Sequence, residues 1–103
     1  MDYKLEAKKR EQEIVQDLKD IVAIKSIIDK NTTSKNAPFG KEIREALDAF
    51  LEMAKRDGFK HGDIDGYAGY IEFGEGEELV GVLGHLDVVP LGEGWNFDPL
   101  GAD

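Results

Sequence analysis

The sequence has no cysteine, only two histidines, three prolines and one tryptophan in 103 residues. Without cysteine there can be no disulfide and no thiolate ligand, so any metal must be held by imidazole and carboxylate, and His61 and His85 are the only imidazoles. Positive charge is also scarce: 13 Lys and Arg stand against 22 Asp and Glu, a formal net charge of −9. Such a surface repels nucleic acid phosphates and anionic lipid headgroups, so neither nucleic acid nor membrane is an expected partner. Residues 1–13 mix both charges densely and contain no apolar stretch of the kind a signal peptide or membrane span needs. The cytoplasm is the expected compartment. There is no internal repeat and no low-complexity tract.

What is present fits one small α/β unit. With 41% apolar residues, a chain of this length buries only about two-thirds of its unfolded surface, which leaves a thin stability margin. Ile14, Leu18, Ile21 and Val22 recur at helical spacing opposite Asp17, Lys19 and Asp20, predicting an amphipathic helix over residues 5–24. The mixed charges Lys8, Lys9, Arg10, Glu11 and Glu13 suit its exposed face, paired at i,i+3 and i,i+4 for about 0.2–0.5 kcal/mol each. Residues 29–36 contain no apolar side chain and are followed by Pro38 and Gly40, a polar loop. Ile43, Ala46, Leu47, Phe50, Leu51 and Ala54 predict a second helix over residues 41–56, with Gly58 placed for a left-handed terminus.

Two β-like runs, residues 66–73 and 78–84, flank Gly74-Glu75-Gly76-Glu77 and read as a hairpin on which both helices pack. Leu79-Val80-Gly81-Val82-Leu83 is apolar at every position, as in a strand covered on both faces within a mixed sheet. The acidic residues Glu72, Glu75, Glu77 and Glu78 lack calcium-loop spacing and are expected on a solvated turn. After Pro90 the chain is rich in glycine and proline, with Trp95 and Phe97 expected to anchor that loop to the core, and it ends without another regular element. We therefore expect the chain to be a cut piece, the amino-terminal part of a larger domain.

Chemistry concentrates at His85 and Asp87. Two residues of extended chain span roughly 6.6–7 Å and present both side chains on one face. Ligands in open α/β sheets collect beyond the carboxyl ends of strands, where this pair would lie. A metal-binding imidazole needs its other ring nitrogen tied to a fixed acceptor, a role that Asp87 could fill. Taken alone, a His-x-Asp at a strand end is more often a structural pair than a metal site. His61, in Lys60-His61-Gly62-Asp63, is expected in a solvent-exposed loop with no functional role.

The wider string is more specific. Gly84-His85-Leu86-Asp87-Val88-Val89-Pro90, with Gly92, Gly94, Trp95 and Asp98-Pro99 behind it, resembles the first metal-binding motif of the M20 family of zinc metallopeptidases. Residues 64–76 are similar to the strand pair that precedes this motif in the PepV-like bacterial dipeptidases. Two positions depart from that pattern: Gly66 stands where asparagine is expected, and Leu100 where an aromatic usually follows Asp-Pro. The resemblance implies a mixed-sheet catalytic domain holding two zinc ions, with His85 a ligand of one and Asp87 the catalytic-site carboxylate that orients it. It implies a dipeptide substrate, hydrolysed by water that the metals activate and a glutamate deprotonates. The family's bridging aspartate, glutamate base and remaining ligands, and its lid domain, have no counterpart in residues 1–103. The chain alone is thus expected to bind zinc weakly and to be inactive. Related branches of the family act on N-acyl amino acids or on N-succinyl diaminopimelate. A different class of reading is a non-catalytic interaction module, and self-association through uncovered strand or helix faces is expected in either case.

Overall fold

The computed structural model describes residues 1–102. Its elements, in chain order, are α1 (Tyr3–Lys9), α2 (Glu11–Val22), α3 (Lys41–Arg56), β1 (Lys60–Ile64) and β2 (Ala68–Glu72). The architecture is α/β, with three helices and one two-stranded antiparallel sheet.

Helix α3 is the centre of the molecule, because its apolar stripe finds partners on two sides: the β1–β2 hairpin and α2. Ala46, Leu47 and Ala54 are buried, and Ile43, Phe50 and Leu51 are half-buried around them. The predicted bounds of this helix match those observed, and Gly58 does adopt a left-handed φ of 78° just past its end. At the start Gly40, with φ 106°, provides no capping side chain. Thr32 supplies the missing acceptor from the preceding loop, its Oγ1 receiving the Lys41 N–H at 3.0 Å.

The amino-terminal helix is divided. Asp2 caps α1 by accepting the Leu5 N–H at 3.1 Å. At Arg10 the backbone departs from helical geometry (φ −101°, ψ 7°), and its N–H bonds to Ala7 instead of closing a full α turn. No proline or glycine stands there, so no residue type announces the break. Glu6 and Lys9 form an ion pair within α1, at 3.4 Å. Ile14, Val15 and Leu18 of α2 stay exposed, and α2 is held to α3 partly by Arg56, whose guanidinium meets the Asp17 carboxylate at 2.9 Å. That guanidinium holds the carboxyls of both Asp17 and Asp57 below the usual aspartate range through hydrogen bonds.

The hairpin lies earlier than expected. It pairs β1 with β2, Lys60 opposite Glu72 through Ile64 opposite Ala68, rather than residues 66–73 with 78–84. The cause is the Asp65-Gly66 dipeptide. Both residues take positive φ, 54° and 76°, and the turn is closed by the Tyr67 N–H donating to Ile64 O at 3.0 Å. Positive φ at both central positions is the sign pattern of turns whose twist matches paired strands. A Cβ at Gly66 would also overlap the Asn36 carbonyl. Gly69 lets β2 approach α3, since a Cβ there would come within 2.8 Å of Leu47 Cδ1. His61, expected in a loop, is thus a β1 residue, half-buried, with Nδ1 donating to Phe59 O at 2.9 Å.

Arg44 ties α3 to this hairpin. It reaches Asp48 at 2.6 Å, Asp63 at 2.5 Å and the Asn36 carbonyl at 3.1 Å. The Asp63 carboxyl is held below its ordinary value, first by Arg44 and then by the Gly66 N–H.

The second expected arm is not a strand. Residues 78–84 form no regular structure, and Leu79, Val80, Val82 and Leu83 are 87–100% exposed. The backbone leaves the sheet through Gly74 and Gly76, both at positive φ, and among the described residues it pairs with no strand edge. Of the expected acidic turn, Glu72 instead pairs across the sheet with Lys60 at 3.5 Å, while Glu75, Glu77 and Glu78 are exposed.

Candidate functional site

After α2 the chain runs through residues 24–28, where two tight backbone turns, Ser26 N–H to Ile24 O and Ile27 N–H to Lys25 O, each at 2.8 Å, turn Ser26 inward. The segment that carries His85 and Asp87 docks against it. The Ser26 hydroxyl donates to Leu86 O at 2.7 Å, and the Val88 N–H donates to Ser26 O at 2.9 Å. Leu86 is half-buried, whereas the His85 and Asp87 side chains are 84% and 61% exposed.

The two sequence-identified residues do come together. His85 Nδ1 lies 3.0 Å from the Asp87 backbone oxygen and 3.4 Å from Asp87 Oδ1. The nearer acceptor is therefore the carbonyl rather than the carboxylate. A carbonyl oxygen has no hydrogen to give, so Nδ1 is the donor here, and a neutral ring making this contact is protonated at Nδ1. The lone pair is then on Nε2, the arrangement a metal-binding histidine requires. The pair does not sit at the end of a buried strand: it projects from an extended, exposed segment.

Among the described residues no three His, Cys, Asp or Glu side chains gather in a way that could hold a metal ion. The donor chemistry of His85 and Asp87 suits zinc, but a zinc site takes four ligands or, when catalytic, three and a water. This pair can be at most part of one. A hollow of about 590 Å³ is lined by Lys25, Asp29 and Glu42 on one side and Pro90 and Leu91 on the other. Neither His85 nor Asp87 lines it. Trp95 and Phe97 meet edge to face, 5.6 Å between ring centres, and the Trp95 indole N–H donates to Leu91 O at 2.7 Å. Both rings stay exposed, so they brace the loop on itself instead of anchoring it to the core. Ser26 is the residue that sequence reasoning missed. Its only signal was a small polar side chain between Ile24 and Ile27. No described helix is long and apolar enough to cross a membrane.

No family model matches the chain. It is 37% identical, over its full length, to "Putative dipeptidase YtjP" of Bacillus subtilis, covering 22% of that protein. It is 44% identical over 95% of its length to a Staphylococcus haemolyticus protein, and 46% identical over 87% to one from Staphylococcus epidermidis, covering 21% and 19% of them. The chain thus spans about a fifth of the length of the curated relatives it matches, and each of those relatives carries a name that describes a dipeptidase.

Proposed function

We propose that the chain is the amino-terminal part of the catalytic domain of a two-zinc dipeptidase of the M20 family, with His85 a zinc ligand and Asp87 its orienting residue. The observation that carries this reading is the His85 ring, held through Nδ1 by Asp87 so that Nε2 is free. The names of relatives 37–46% identical to nearly all of this chain support the reaction class.

When bound, zinc would polarise the scissile carbonyl and lower the pKa of a water. His85 contributes one neutral donor nitrogen. Asp87 restrains the ring through its carbonyl and places a carboxylate beside Nδ1. One imidazole and one carboxylate cannot complete a zinc site, so residues 1–103 by themselves bind zinc weakly and do not turn over peptides. The substrate is a dipeptide and the working compartment the cytoplasm.

The test is zinc-dependent dipeptide hydrolysis by the full-length protein, comparing wild type with His85→Ala and Asp87→Ala after each is shown to fold. His85→Ala should abolish turnover, and Asp87→Ala should lower zinc affinity or rate on the order of 10–100-fold. Hydrolysis of N-acyl amino acids or N-succinyl diaminopimelate in place of dipeptides would move the protein to a related amidohydrolase branch. A folded, zinc-replete protein without turnover would sink the enzyme reading. The exposed run of residues 79–83 would then favour an interaction module.

A further inference from the structure

Ser26 is the one buried polar side chain among the described residues, 2% exposed, and both of its contacts with the site segment lie some 60 residues away. Its carbonyl receives the Val88 N–H and its hydroxyl donates to Leu86 O. One residue bonded to the positions before and after a residue on a neighbouring segment is the pattern of parallel strands, here centred on Asp87. In a regular ladder the donor to Leu86 O would be the backbone amide of residue 26. That amide is already committed to Ile24 O, and the hydroxyl replaces it. Alanine or valine at this position could not.

The consequence reaches His85 through one peptide unit. In a trans peptide the N–H and C=O point in opposite directions. Holding the Val88 N–H on Ser26 therefore turns the Asp87 carbonyl outward, where His85 Nδ1 meets it at 3.0 Å. We propose that Ser26 is a positioning residue: by clamping the backbone on both sides of Asp87 it fixes the carbonyl that keeps the His85 ring in its Nδ1–H form with Nε2 free. The restraint on the ring follows from this geometry alone. Its value for zinc binding rests on the function proposed above.

The experiment uses full-length protein, metal-free and labelled with 15N-histidine, at about pH 8.5, well above the ordinary imidazole pKa of about 6.5. The His85 resonances are those lost in His85→Ala. Wild type should show His85 as the Nδ1–H tautomer. Ser26→Ala should give a mixture of tautomers and bind zinc about 10-fold more weakly, while Ser26→Thr, which keeps the hydroxyl, should restore the single tautomer. Val88→Pro removes the other bond and should reproduce the Ser26→Ala signature. An Nε2–H tautomer in wild type overturns the proposal without recourse to any variant. So does a folded Ser26→Ala protein with an unchanged tautomer and zinc affinity. If His85→Ala leaves zinc affinity and turnover intact, the zinc-ligand reading of His85 fails, whereas the tautomer result still decides the clamp.

Discussion

The apolar stripe of helix α3 and the apolar run Leu79–Leu83 have the same chemistry, yet their fates differ. Ala46 in α3 is 0% exposed, whereas Leu83 is 100% exposed. Hydrophobicity sets what a segment gains from burial, but burial needs a surface of matching shape and backbone pairing. The stripe of α3 is completed by its own side chains and needs only a neighbour, which the hairpin and α2 supply. A strand-like run needs in addition an open sheet edge for its amides and carbonyls, and among the described residues none meets it.

The sharpest break of that comparison is a pair of truncations in the 103-residue chain, followed by denaturant midpoint. Leu47→Ala should cost about 2–5 kcal/mol, the range for a buried leucine that leaves a cavity. Leu83→Ala should stay within about 0.5 kcal/mol. A comparable loss at Leu83 would show that the run is covered in solution. Its cover would then be a second copy of the chain, and sedimentation at rising concentration should register that association directly. Next in size is Gly66→Ala. The positive φ and the nearby Asn36 carbonyl should together make it cost about 1–3 kcal/mol, with hairpin amide exchange accelerated. A neutral result would mean that the Asp65-Gly66 turn is not what places the hairpin.

The smallest effect is pH-dependent. Asp17, Asp57 and Asp63 all have carboxyls lowered from an ordinary 3.8 in the folded chain. The unfolded chain therefore binds more protons in acid, so the contribution is fully present above about pH 4 and is lost as pH falls below that. Replacing Arg44 and Arg56 with methionine should flatten the acid limb of a stability–pH curve. An unchanged limb would remove these ion pairs from the account.

How much of this was legible depended on whether the deciding partner was local. The 41–56 helix and the Gly58 terminus follow from periodicity and a single glycine, and both hold. The hairpin's signal is present in the sequence but short: the Asp65-Gly66 dipeptide makes the turn, not the longer glycine-rich stretch behind it. The break at Arg10 has no residue-type signature. His85 and Asp87 stand out in the sequence by their spacing and surrounding motif, and the structure places the two side by side. The closer contact of the backbone carbonyl was not, because it depends on Ser26, whose partners are remote in sequence.

That remoteness has a kinetic side. Closing a loop of about 60 residues costs about 3.6 kcal/mol in chain entropy on the logarithmic scaling alone, while two hydrogen bonds return about 1–3 kcal/mol net. The Ser26 clamp cannot therefore form on an open chain. It can close only after α3 and the hairpin have shortened the path between its ends, and it should be among the first contacts to open when the native state fluctuates.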